Sequence, residues 1–380
     1  MKRILIFSLA YYPQVGGAEI AIKEITDRIT DIEFHLLTLN FGGGAKEEKI
    51  GNVIVHRLGN SASYFSKILF IPRAAYAARA MHKALHFDAF WAMMSYMLFP
   101  IVLLRFFSIR VPPYLLTLQE GDPWEHMFSR WFILPFRPLL SIGFKNASAV
   151  QAISTYLGKW ATQIGFTKEI AVIPNGVDLS RFVETAHPPF IVGGIVNMVT
   201  ASRLVHKNAL DEVIRALVLL PKNIQFIVYG SGPDEAELRK LSEELGVSER
   251  VLFKGYISHA ELARAFSTAH IFIRPSRSEG MGNSFIEAMA AGIPVIATQE
   301  GGIADFLFDE KRNPEKPSTG WAVDVDSSEQ IAVAVKDIIT NPERVARVRA
   351  NGLSLVQENY DWDLVARNMR ALLGGLLGNR

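Results

Sequence analysis

Three times along this chain an apolar run breaks at a glycine-bearing turn and gives way to helix formers: residues 3–9 before Gly16-Gly17, 224–229 before Gly230-Ser231-Gly232, and 271–273 before Gly280 and Gly282. A short apolar run bounded in this way reads as a strand buried on both faces. Further strands are expected at 33–39, 52–58, 88–93, 114–118, 149–153, 170–173, 195–201, 251–254 and 294–298, mostly with helical stretches between them. Alternation of this kind predicts an α/β chain of parallel sheets covered by helices on both faces. Such sheets place their ligand loops at the carboxyl ends of the strands.

At 380 residues the chain exceeds one ordinary core and suits two domains of about 180 residues each. The stretch 184–194, with Pro188-Pro189 and Gly193-Gly194, reads as the linker. The expected division is 1–186 together with a returning segment 361–380, and 187–360. With 49% hydrophobic and 21% charged residues the composition is globular. The absence of cysteine excludes disulfides and thiolate metal sites, and fits a reducing, cytoplasmic compartment. Lys2-Arg3 with the apolar residues behind them could pass for a signal peptide, but they run into Tyr11-Tyr12-Pro13 without a cleavage pattern and read as the first strand. Residues 1–186 hold 19 Lys and Arg against 14 Asp and Glu, and residues 187–380 hold 21 against 24. Neither balance suggests a nucleic-acid partner.

The densest stretch of candidate chemistry is Ser278-Glu279-Gly280-Met281-Gly282-Asn283-Ser284-Phe285-Ile286-Glu287. Its glycines allow a tight turn, and the amides that open the following helix lack internal partners and suit an anion. Glu279 and Glu287 bracket that site and could grip sugar hydroxyls. Ser284-x-x-Glu287 also has the spacing of a capping box, in which Glu287 would only satisfy a backbone amide. Arg203 and Lys207 stand after the strand at 195–201, ahead of a helix. A lysine there opposes the helix dipole and calls for a bound anion or an acidic neighbour.

The glutamate pair within Glu-Gly-Met-Gly-Asn-Ser-Phe-Ile-Glu-Ala-Met-Ala-Ala-Gly-Ile-Pro-Val resembles the signature of the retaining glycosyltransferases of family four. That resemblance implies the GT-B fold: two facing Rossmann-like domains, with a final helix near 362–377 crossing back to the first. It implies a sugar-nucleotide donor on the C-terminal domain, a glycan or lipid-linked acceptor on the N-terminal one, and no metal or other cofactor. Glu287 would accept from the donor ribose, Glu279 would lie nearer the sugar, and Arg203 and Lys207 would hold the diphosphate with the amides of Gly280, Met281, Gly282, Asn283 and Ser284. Gly230 would turn close to the donor, and Tyr256 and Ile257 would pack the nucleobase. Gly16 and Gly17 match the family's N-terminal glycine loop. Gln119 departs from it, standing where many relatives carry a histidine; it can hydrogen-bond a hydroxyl but cannot titrate. Glu120 and Asp122 either face the sugar or form a polar turn.

Asp324-Val325-Asp326 has metal-like spacing but reads as helix capping, and His35, His82, His86, His187, His259 and His270 are scattered without metal spacing. Residues 56–145 hold 18 of the chain's 40 aromatic residues, and 10 Lys and Arg against 4 Asp and Glu. Basic residues interleaved with bulky ones suit peripheral attachment to an anionic membrane surface. The rival readings are a GT-B sugar-nucleotide epimerase, a dinucleotide oxidoreductase, which would need the Gly-x-Gly-x-x-Gly that Gly16-Gly17 does not supply, and a non-catalytic sugar-binding or membrane scaffold.

Overall fold

A computed structural model describes residues 1–42, 44–106, 110–182 and 194–378; most of the expected linker, 184–193, and His187 with it, lies outside the described residues. The chain forms two compact units, Met1–Asn175 with Trp362–Arg380, and Gly176–Asp361.

The first unit is built on β1 (Lys2–Phe7), β2 (Ile32–Leu39), β3 (Glu47–Ile50), β4 (Val53–Leu58), β5 (Ala89–Met93), β6 (Tyr114–Leu118), β7 (Ala149–Ala152) and β8 (Ile170–Val172). They are ordered β3-β4-β2-β1-β5-β6-β7-β8. Every pair is parallel except β3 with β4. Central strands such as β5 and β6 are buried throughout, so their side chains are apolar on both faces. On one face lie Ile22 and Ile25 of the Gly17–Arg28 helix, which share a core with Trp362, Val365, Met369 and Leu373 of the Trp362–Leu376 helix. The last stretch of the sequence therefore completes the core of the first.

The second unit carries β9 (Val196–Ala201), β10 (Ile224–Tyr229), β11 (Val251–Gly255), β12 (Ile271–Arg274), β13 (Val295–Ala297) and β14 (Trp321–Ala322), ordered β11-β10-β9-β12-β13-β14 and parallel throughout. This is the doubly wound order whose direction reverses at one point, here between β9 and β12. Its core joins Met198, Phe226 and Ile273 of the sheet to Val213 and Leu217 of the Leu210–Val218 helix and to Val335 of the Ser328–Thr340 helix.

The expected strands are present, with ends displaced by one or two residues. The hairpin partner β3 has no counterpart in the sequence reading, because Glu-Glu-Lys-Ile is polar and lies on an exposed edge. The compact units divide at Asn175 rather than at 186. The Val177 N–H donates to the Tyr360 carbonyl at 2.6 Å, and Phe182 packs on Phe266, so the turn after Asn175 is held by the second unit.

Candidate functional site

In the second unit, the loops that leave β9 and β12 flank the strand-order reversal, where open α/β sheets take their ligands. The first loop carries Arg203, exposed, and Lys207, half-buried in a short 3₁₀ turn at His206–Asn208. Lys207 thus precedes the Leu210–Val218 helix rather than opening it. The second loop carries Glu279. Arg277 ties the two together: its backbone N–H donates to the Lys207 carbonyl at 2.7 Å and its guanidinium to the His206 carbonyl at 2.6 Å. The same fork grips Asp211 at 3.0 and 2.7 Å, and Nε donates to Asp326 at 2.6 Å. Asn208 donates to the Arg203 carbonyl at 2.6 Å. Gly230 closes the floor, since a Cβ there would lie 1.9 Å from the Ser202 carbonyl oxygen.

β12 ends in a residue that the sequence reading passed over. Arg274 is 5% exposed. One Nη donates to Ser284 Oγ and the other to Glu279 Oε2, both at 3.0 Å, and the guanidinium stacks 4.2 Å above the Phe285 ring. Burial pushes its pKa down, while the charges of Glu279 and Glu287 push it back up. The other carboxylate oxygen of Glu279 accepts from the Gly280 N–H at 2.9 Å. Glu279 is therefore clamped at both oxygens, and the Gly280 amide, expected to face the donor, is already engaged. Gly282, with φ +85°, is the point where the chain passes over this clamp: a Cβ there would meet an Arg274 Nη at 2.4 Å and the Phe285 ring at 2.7 Å.

The Asn283–Ala290 helix begins at Gly282, which offers no side chain to cap it. The capping box expected as one alternative at Ser284 and Glu287 does not form, because Ser284 lies inside the helix and its hydroxyl serves Arg274. Glu287 and Met281 are buried. Thr200 Oγ1, Ser202 Oγ, Asn208 Oδ1, Arg274 Nε and Ser276 Oγ are buried without a hydrogen-bond partner. All five lie on β9, β12 or the loops that follow them. Buried polar groups are normally satisfied, so an orphan cluster at a strand-order reversal marks a polar shell left for a ligand or water to complete.

The remaining expected residues divide. Tyr256 is 76% exposed and Ile257 half-buried, just beyond the edge strand β11. In the first unit the Gly16 N–H is taken by Glu19 Oε2 at 2.7 Å, so that glycine loop closes on its own helix, and Gly17 is the helix's first residue. Gln119 exchanges two hydrogen bonds with Asn175, at 3.0 and 3.2 Å. Glu120 does not face outward: it is 1% exposed and accepts from the Ser95 N–H at 2.6 Å, with burial raising its pKa. Asp122 lies 3.8 Å from the His126 ring. Asp324 and Asp326 do not cap the next helix, which is the work of Ser327; they pair instead with Arg312 and Arg277. Among the described residues no three His, Cys, Asp or Glu side chains cluster as metal ligands do.

Two family models cover most of the chain: "Glycosyl transferases group 1" matches residues 196–354 and "Glycosyltransferase Family 4" matches 15–181. The GDP-mannose-dependent alpha-(1-6)-phosphatidylinositol monomannoside mannosyltransferase of Mycolicibacterium smegmatis is 30% identical over 264 residues, 64% of this chain and 67% of that one. The chain belongs to the family-four glycosyltransferases. The enzyme of the same description from Mycobacterium tuberculosis is 29% identical over 263 residues, and the match spans 66% of its length. Sucrose-phosphate synthase from Thermosynechococcus elongatus superposes over 100% of both chains with a TM-score of 0.85 at 20% identity. Anabaena HepE in complex with UDP-glucose superposes over 99% of this chain and 100% of its own, with a TM-score of 0.79 at 20% identity. The fold of this glycosyltransferase-family chain is thus GT-B.

Proposed function

We propose that this chain is a retaining hexosyltransferase that moves a hexose from a nucleotide-diphosphate sugar to a glycan or lipid-linked acceptor, without a metal. The observation that carries the reading is the strand-order reversal between β9 and β12, where the loops carry Arg203, Lys207 and Glu279 and lead into an uncapped helix that holds Glu287, beside orphaned buried polar groups. A diphosphate suits the two cations and the helix amides, which would stabilise the charge that develops as it departs. Removing one such donor costs on the order of 3 kcal/mol in the barrier. Glu287 is assigned to the donor ribose and Glu279 to the sugar, and Tyr256 and Ile257 to the nucleobase.

Retention rests on the likeness of the glutamate pair to the retaining family, and the acceptor class on the phosphatidylinositol mannoside acceptors named for relatives. A cytoplasmic location accords with the absence of cysteine. Incubation with a panel of sugar nucleotides in the presence of a chelator tests the reading. Release of nucleoside diphosphate that depends on acceptor, with NMR showing the donor's anomeric configuration in the product, is expected. Epimerised sugar nucleotide without transfer, or no turnover with any donor, would overturn it.

A further inference from the structure

The helices Tyr64–Leu85, Leu98–Phe106 and Arg137–Lys145 lie side by side in the first unit, the second packed between the other two. Not one of them contains an Asp or Glu. The first carries Lys67, Arg73, Arg79 and Lys83, the second Arg105, the third Arg137 and Lys145, and all seven are exposed. Among the described residues, none of the seven forms an ion pair. A helix layer on an ordinary protein surface intersperses both signs, and seven cations without one anion give this layer a single-sign field that suits an anionic partner.

The same layer exposes large apolar side chains that a water-facing surface does not need. Tyr64, Phe65, Ile68 and Tyr76 are 66%, 67%, 50% and 78% exposed on the first helix, while Phe70, Ala74 and Ala78 turn inward. Phe106 is 63% exposed at the end of the second. Trp131, 82% exposed, and Phe136, half-exposed, precede the third, where Phe136 meets Phe99 of the second at 6.2 Å between ring centres. The apolar residues therefore fall on the basic layer itself. Core packing accounts for the buried aromatics of this segment, such as Phe90 and Trp91, but not for these.

We infer that this three-helix layer is a docking surface for an anionic lipid bilayer, with the cations held at the headgroups and the aromatic and aliphatic tips entering the interface. Aromatic rings settle at that depth, and a cation near an anionic surface strengthens binding about fivefold each. Among the described residues no helix is long and apolar enough to cross a membrane. The inference deepens the acceptor side of the proposed transferase reading but does not depend on turnover.

Flotation of the full chain with vesicles of phosphatidylcholine containing roughly a third phosphatidylglycerol tests it, with pure phosphatidylcholine as the reference. Expected is co-flotation with the anionic vesicles at low salt, weakening at high salt. The triple variant Lys67→Glu/Arg73→Glu/Arg79→Glu should bind at least a hundredfold more weakly, and Phe65→Ser/Ile68→Ser should lose the salt-resistant part. Both variants should keep the wild-type melting temperature and nucleoside diphosphate affinity, which shows that the chain is folded. Protein left at the bottom of the gradient at low salt, vesicle binding indifferent to the triple substitution, or a preference for a DNA duplex over anionic vesicles would each overturn the inference. None of those outcomes touches the transferase reading, which is judged by nucleoside diphosphate release.

Discussion

Arg274 and Glu279 form an ion pair whose side chains are 6% and 12% exposed. A pair so placed costs desolvation at both ends, and its main consequence appears when one partner is removed and the other stays behind unpaired. Arg274→Met and Glu279→Gln should each destabilise the fold, the first by roughly 3–5 kcal/mol. Their combination should cost less than the two losses summed, by on the order of 1–3 kcal/mol. Denaturant unfolding of the four proteins measures this, and strict additivity would mean that the pair contributes nothing as a pair. The two glutamates should also separate in function. Glu287→Gln exchanges a charged acceptor for an amide and should lose tenfold or more in nucleoside diphosphate affinity, roughly 1.5–3 kcal/mol. Glu279→Gln should lower single-turnover rates while leaving that affinity nearly unchanged; equal affinity losses in calorimetric titration would refute the division. The two glutamates stand out in the sequence because the stretch that holds them matches the family's signature. Arg274 does not, because a cation after Ile271-Phe272-Ile273 reads as the point where a strand meets water. Only the return of the chain through Gly282 and Phe285 shows that it is enclosed.

Among the elements, the central parallel strands were legible because burial on both faces makes them nearly continuous apolar runs, and glycine turns mark several of their ends. The β3–β4 hairpin was not, and it carries His56, which stacks on a histidine of the neighbouring strand. His35 on β2 and His56 on β4 stack at 5.3 Å with their facing nitrogens 3.0 Å apart. Glu33 receives His35 at 2.9 Å and Glu47 of β3 meets His56 at 3.1 Å. Burial lowers the His56 pKa, Glu47 opposing and His35 adding to the effect. The fold therefore favours the neutral imidazole over the unfolded chain, where a histidine titrates near 6.5. That contribution is present above about 6.5 and is lost as pH falls through the lower, folded value. Hydrogen exchange at β3 and β4 amides should accelerate between pH 7 and 5 relative to β5 and β6, after correction for intrinsic rates, and His56→Gln should remove the difference. Unchanged relative protection would count against His56 as a local pH-sensitive group.

At the scale of the whole molecule, chain length pointed to two domains and the family likeness to a returning C-terminal segment, but the position of their boundary depends on which core holds the turn after Asn175. That is a matter of packing at Val177 and Phe182, which composition does not record. The returning helix allows a sharper statement. Trp362, Val365, Met369, Leu373 and Leu377 are buried in the core that contains Ile4, Ile22 and Phe34, more than three hundred residues away in sequence. Arg28 pairs with Asp363 at 2.7 Å and Arg370 with Asp31 across the same seam, but both carboxylates are exposed and the pairs contribute little. Burial of the five apolar side chains, at roughly 1.5–3 kcal/mol each, is worth on the order of 10 kcal/mol. That is comparable with the whole stability of an ordinary domain, about 5–15 kcal/mol. Truncation after Asp361 should therefore unfold the first unit while leaving Gly176–Asp361, which holds every residue assigned to the donor, able to bind. In calorimetry the truncated chain should show a single remaining transition, and nucleoside diphosphate at a hundred times its Kd should raise that transition's stability by about 2.7 kcal/mol. Retention of both transitions would show that the helix is an accessory to the first core rather than part of it.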